Sequence, residues 1–150
     1  LHEKMDALTE TLLMFAARCE HIQTTIQPKL DEGIIVVSDR FTDATYAYQA
    51  GGKGVDPQSI DALKHLIQKD LEPDLTFLFD VPVEISMERL KDTRAMDKFE
   101  REAPSFHQAI RTTYLELAQS DAKRFHVLDG TQSIPAIQEE IKNTLDRLTL

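Results

Sequence analysis

The sequence predicts an α/β fold, a parallel sheet with helices on both faces. Three observations carry this. Three short, mainly apolar runs, Ile34–Val37, Leu75–Phe79 and Phe125–Leu128, alternate with longer segments whose apolar residues recur every three or four positions. Strands separated by helices join through crossovers, which gives a parallel sheet. At 150 residues the chain reads as one domain over 1–150, and a chain of this size buries roughly 68–70% of its unfolded surface.

The elements follow in order. From about Ala7 to Asp31, Leu8, Leu12, Phe15, Ala16, Cys19, Ile22, Ile26 and Leu30 keep helical spacing. Pro28 is expected to kink the last turn and Gly33 to stop it. Ile34-Ile35-Val36-Val37 suits a strand buried on both faces, ending at Ser38-Asp39-Arg40. Asp56-Pro57 reads as an N-cap with proline at the first helical position, and Ile60, Leu63, Ile67 and Leu71 continue that helix. Glu72-Pro73-Asp74 breaks it. Leu75–Phe79 forms the second strand, stopped by Asp80-Val81-Pro82, and a short helix carries Val83, Met87 and Leu90. The charge-dense stretch 91–102 reads as a surface loop or lid. A longer helix bears Phe106, Ile110, Tyr114 and Leu117, the third strand is Phe125–Leu128, and Ser133 caps a last helix through Ile137, Ile141, Leu145 and Leu148.

Composition narrows the function classes. With 17 Lys and Arg against 26 Asp and Glu, the formal net charge is −9, which argues against general nucleic-acid binding, because a phosphate backbone needs a basic face. A small phosphorylated ligand needs only a few placed cations and stays open. A single cysteine, Cys19, fits a reducing compartment, so a cytoplasmic location is expected. No apolar run reaches a membrane span, and the first residues lack the apolar stretch of a signal peptide. The chain begins at Leu1 without an initiator Met, so a fragment of a longer protein is expected.

Ligands of such sheets bind beyond the carboxyl ends of the strands, which directs attention to Asp39-Arg40, Asp80 and Asp129-Gly130. Asp39 followed by Arg40 suits phosphate chemistry, an acid near a metal or its water and a guanidinium forking onto phosphate oxygens. An ion pair closing a strand end accounts for the two residues equally well. Phe15 and Arg18 share a helix face. Phe15 reads first as core, whereas Arg18 in an apolar stretch needs an acceptor, a carboxylate or a ligand carbonyl. Thr45, Tyr48 and Gln49 place a hydroxyl, a phenol and an amide on one short helical segment, a face suited to a planar uncharged base or simply to solvent. Gly51-Gly52-Lys53-Gly54 lacks the Ser/Thr and the strand–helix setting of a phosphate loop and reads as a flexible connection. The five histidines have no metal-ligand spacing, and Cys19 reads as a small core residue.

The runs Leu13–His21, Ile26–Leu30, Val37–Phe41 and Ala47-Tyr48-Gln49, with Pro73–Thr76, Asp80-Val81-Pro82 and Tyr114–Ala118, together resemble bacterial thymidylate kinases over nearly the whole chain. The resemblance implies a fold like that of P-loop NTP hydrolases and an ATP-dependent conversion of thymidine monophosphate to the diphosphate. Its implied reactants are thymidine monophosphate and ATP, with Mg²⁺, and the implied assembly is a homodimer. It implies that Arg40 contacts the acceptor phosphate and that Asp39 lies near the phosphates and the metal. Phe15 would stack on thymine and Arg18 would bond its exocyclic oxygen. Many members separate those two residues by four positions and this chain by three, which leaves Met14 as an alternative platform. Thr45 would read the base edge, with Tyr48 and Gln49 lining sugar and base, and Arg94 would close over the transferring phosphate from the lid. The family's phosphate loop and first strands have no counterpart here, so a polypeptide of Leu1–Leu150 alone is expected to lack kinase activity and to be poorly soluble. A kinase for another pyrimidine monophosphate and a non-catalytic nucleotide-binding module are the other readings.

Overall fold

A computed structural model describes residues 5–91 and 102–148. Where the sequence reads as one continuous domain, backbone contacts divide the chain into two compact units, Leu1–Glu72 and Pro73–Leu150.

The first unit is helical. Helix α1, Ala7–His21, starts at Asp6, whose Oδ1 accepts from the backbone N–H of Leu8 (3.0 Å) and Thr9 (3.1 Å). It runs on through a wide π turn, Ile22–Ile26, into α2, Gln27–Asp31. The widened turn lies just ahead of Pro28, whose ring has no N–H to give and crowds the preceding turn of a regular helix. This is the form the expected kink takes. Gly33 stops the helix at φ 74°; its N–H bonds the Leu30 carbonyl and the Ile34 N–H that of Lys29, both at 2.9 Å, a Schellman closure.

The buried face of this helix is not the one its leucines suggest. Thr11 and Phe15 are buried, whereas Leu8, Leu12 and Leu13 remain about half exposed. Cys19 is only half-buried, and its Sγ accepts from Gln23 Nε2 at 3.2 Å, so it is not the core residue expected.

Ile34–Val37 does not form the expected strand. Among the described residues it takes part in no sheet, and Ile35 and Val37 are 67% and 91% exposed. Four β-branched residues favour an extended backbone, but a strand is completed only by a neighbour that takes up its N–H and C=O groups. Helix α3, Thr42–Thr45, continues into a second π segment, Tyr46–Gly52. Helix α4, Pro57–Gln68, begins as expected: Asp56 accepts from the Gln58 N–H at 3.1 Å and Pro57 occupies the first turn. It ends before Leu71, because Lys69 turns to φ 54° and Gln68 Nε2 bonds the Leu71 carbonyl at 3.0 Å. Phe15, Val55 and Ile60 form the core of this unit, flanked by Ala7, Tyr46, Ala50, Leu63 and Ile67.

The second unit holds the sheet. Strands β1, Thr76–Asp80, and β2, Phe125–Asp129, pair in parallel, with Thr76 opposite Phe125 and Asp80 opposite Asp129. The sheet among the described residues therefore has two strands where the sequence suggests three. Helix α5, Val83–Lys91, follows β1. Helix α6, Pro104–Ser120, packs on both strands, and α7, Ile134–Leu145, packs on β2. Ser133 caps α7 as expected, and the helix ends before Leu148. Ile110, Ala118, Phe125 and Leu128 are buried. The expected lid, 91–102, lies outside the described residues except for its two ends. No helix among the described residues is long and apolar enough to cross a membrane.

Two carboxylates meet at the carboxyl end of the sheet, and each is held separately. Asp80 takes a two-pronged bond from Arg111, Nε to Oδ1 at 2.7 Å and Nη2 to Oδ2 at 2.9 Å, which raises the guanidinium's pKa. Asp129 accepts from the hydroxyl and backbone N–H of Thr131 at 2.6 and 2.9 Å, and these bonds hold its pKa below the usual carboxylate range. Gly130 closes against this end. Its N–H bonds the Asp80 carbonyl at 2.8 Å, and a Cβ there would lie 2.4 Å from Val81 Cγ2 and 3.1 Å from the Asp80 carbonyl oxygen. Gly130→Ala is accordingly expected to destabilise the protein by about 1–3 kcal/mol, seen as a lower denaturation midpoint; an unchanged midpoint would show that the backbone yields freely.

Candidate functional site

Thr45 and the Phe41 carbonyl converge on one cation, Arg18. Arg18 leaves α1 on the same side as Phe15 and reaches both ends of α3. Its Nη2 donates to Thr45 Oγ1 at 3.0 Å and to the Phe41 carbonyl at 3.4 Å. The guanidinium carbon lies 4.9 Å from the centre of the Phe15 ring and 5.4 Å from that of Phe41. Burial lowers the pKa of this arginine, and the nearby Asp43 carboxylate partly offsets that effect. Nη1 is buried without a hydrogen-bond partner. A cation in this position needs an acceptor: protein groups supply it on one side, and one nitrogen is left over.

Gln49 stands four residues beyond Thr45, and both are buried, at 0% and 1% exposure. Gln49 Nε2 donates to Glu10 Oε1 at 3.1 Å, while its own Oε1 has no partner. Among its described residues the unit thus holds one buried unused side-chain donor, on Arg18, and one buried unused side-chain acceptor, on Gln49. Such groups cost roughly 1–3 kcal/mol each when left unpaired, which is a reason to look for a ligand that supplies what they lack.

Phe15 takes no part as an open platform. It is 1% exposed, enclosed by Val55 and Ile60 with Arg18 over its ring. A ring that stacks on a base must present a face, and this one is covered. Met14, its neighbour, is 38% exposed.

The second group of expected residues sits at the turn into α3. Asp39 and Arg40 are exposed, so Arg40 is not closing a buried strand end. Arg40 adopts φ 65°, a left-handed backbone that costs a residue with a Cβ about 1–3 kcal/mol. The Ser38 hydroxyl bonds the Arg40 carbonyl at 2.9 Å, and the guanidinium lies 5.1 Å from the centre of the Tyr48 ring. The turn therefore brings Arg40 onto the segment that carries Thr45 and Gln49. Arg94 lies outside the described residues.

Comparison with known proteins identifies the family. The family model "Thymidylate kinase" matches residues 1–141. The chain belongs to the thymidylate kinase family. A thymidylate kinase of Methylobacillus flagellatus is 52% identical over 94% of this chain and 70% of its own length, and one of Neisseria meningitidis serogroup A is 48% identical over 92% and 67%. Among solved structures, a thymidylate kinase of Ehrlichia chaffeensis superposes with a TM-score of 0.75 at 30% identity, over 97% of this chain and 67% of that one. The chain thus spans about 70% of the length of its curated relatives. Membership makes it an α/β protein of the P-loop kinase fold and an enzyme, a phosphotransferase acting on thymidine monophosphate.

Two residues in contact with Gln49 or its partner escape a reading by motif. Lys53, in the glycine-rich run taken for a flexible connection, pairs with Glu10 at 2.5 Å, and Gly51 and Gly52 belong to the second π segment. Glu10 itself is an acid between Leu8 and Leu12, two turns ahead of Arg18; that position is the available signal, and it says nothing of the partner. Thr45→Val should leave the buried Arg18 Nη2 without its side-chain acceptor and cost about 1–3 kcal/mol, read by chemical denaturation; a variant as stable as the parent would mean that Arg18 finds another acceptor.

Proposed function

We propose that the first unit is the thymidine monophosphate site of a phosphotransferase that uses ATP as donor. The observation that carries the reading is the pair of unused buried groups, the Arg18 Nη1 donor and the Gln49 Oε1 acceptor, the first on the arginine that Thr45 bonds and the second four residues beyond Thr45. A pyrimidine with a 4-oxo group beside a ring N–H offers the complementary acceptor and donor. Arg18 bonds the exocyclic oxygen, Gln49 takes the ring N–H, Thr45 holds the arginine, and Tyr48 borders the sugar. Phe15 then acts from below, fixing the guanidinium and not the base.

Arg40 is assigned to the acceptor phosphate. Its strained backbone and its contact with Tyr48 support the role, because a guanidinium held on a turn is already placed when the phosphate arrives. Arginine suits phosphate through its two-pronged fork. Arg94 is assigned to the transferring phosphate. Asp39, an exposed carboxylate beside Arg40, fits Mg²⁺, which takes one or two carboxylates and completes its shell with water and phosphate oxygens. When bound, the metal neutralises charge on the phosphates. Asp39 would hold it, and Arg40 would keep the attacking phosphate oriented while charge spreads over the transferred group.

A homodimer is proposed from α1, where Leu8, Leu12 and Leu13 stay about half exposed beside Met5. The free thiol of Cys19 supports a cytoplasmic location.

Arg40→Ala is expected to lower kcat/KM for thymidine monophosphate by at least about 100-fold, with most of the affinity for the monophosphate lost and that for thymidine itself kept. Equal loss for nucleoside and nucleotide would overturn the phosphate assignment. Leu12→Glu should convert a dimer to a monomer in light scattering; a dimer that survives it would place the interface elsewhere.

A further inference from the structure

Glu10 joins the Gln49 amide, whose oxygen is the unused acceptor of the base site, to Lys53. Its side chain is 13% exposed, and its Oε1 accepts from both Gln49 Nε2 at 3.1 Å and Lys53 Nζ at 2.5 Å. A carboxylate in a salt bridge has acceptor oxygens and no hydrogen to donate. A primary amide, by contrast, presents N–H on one side and oxygen on the other, and its two ends are interchangeable in shape. Facing a carboxylate, only one orientation avoids setting acceptor against acceptor. The nitrogen of Gln49 must turn to Glu10, and its oxygen is then the end left over, buried and without a partner.

We propose that Glu10, braced by Lys53, is a positioning residue that sets the base specificity of the site by locking the Gln49 amide with its oxygen toward the ligand. The locked site presents an N–H from Arg18 and an oxygen from Gln49. A 4-oxo pyrimidine, with its carbonyl next to a ring N–H, meets both. A 4-amino pyrimidine sets an amino group against the arginine and a bare ring nitrogen against the oxygen, and is rejected by two mismatches. Were the amide free to turn, its N–H end would suit that ring nitrogen. The inference rests on the assignment of Arg18 and Gln49 to the base made under Proposed function.

The test is calorimetric binding of thymidine and deoxycytidine 5′-monophosphates to the parent protein, to Glu10→Gln and to Glu10→Asp, with thermal midpoints recorded for all three. The parent should prefer thymidine. Glu10→Gln, which can offer either an oxygen or an N–H, should narrow that preference about tenfold, whereas Glu10→Asp, still an acceptor only, should retain it. A merely structural role would weaken both ligands together and leave their ratio unchanged, and an unchanged ratio in folded Glu10→Gln overturns the proposal. A parent without preference overturns the base-site reading itself. A further measurement needs no variant: in the parent protein, nuclear Overhauser contacts from the Gln49 amide protons to the Glu10 side chain should persist when thymidine monophosphate is added, and their transfer to the base would equally overturn the lock.

Discussion

A half-buried guanidinium organises the first unit. Arg18 could not sit against two aromatic rings unless something accepted its hydrogens, and the protein meets that need only in part. Thr45 and the Phe41 carbonyl are spent on one nitrogen, so α1 is tied to both ends of α3 and the turn through Arg40 is drawn alongside. Nη1 stays buried without a partner. A fully satisfied arginine would be a strut; on the function proposed above, this one keeps a nitrogen for a ligand.

The end of the sheet in the second unit shows the opposite economy, although His107 Nε2 on α6 is itself buried without a partner. There the polar groups at the sheet's end satisfy one another: Arg111 caps Asp80, Thr131 caps Asp129, and Arg89 bonds the Gly130 carbonyl at 2.8 Å. The carboxyl end of a parallel sheet is the place to look for a ligand, yet the acids of β1 and β2 are occupied. The groups with unused hydrogen-bonding capacity in the first unit lie on helices.

Much of this was legible in the sequence, and the failures have physical causes. The caps at Asp56 and Ser133, the stop at Gly33 and the β1 and β2 segments are written in local residue chemistry, which a sequence exposes directly. Ile34–Val37 misled because β propensity describes what a backbone favours and not whether a neighbour is there to bond it. Arg18 stands out as a cation in an apolar stretch, and Thr45 and Gln49 as a hydroxyl and an amide on one short helical segment. Glu10 and Lys53 do not, since 43 positions separate the two partners and nothing local announces either. Phe15 was found as core by spacing and as a base platform by resemblance, and its burial agrees with the first.

The two widened turns in the first unit have a consequence for how such a helix can vary. A π turn is one residue longer than the α turn it replaces, so it rotates everything beyond it by roughly 100° relative to everything before. Ile22–Ile26 lies after Arg18, and the π segment Tyr46–Gly52 begins after Thr45. Each therefore acts as a phase adjuster downstream of a contact already made. A residue gained or lost at Ile22–Ile26 can be absorbed by tightening or loosening the coil, and the Glu10-to-Arg18 stretch keeps its angular phase. The same change between Glu10 and Arg18 has no such slack to draw on and would swing the carboxylate and the guanidinium to different sides of the helix.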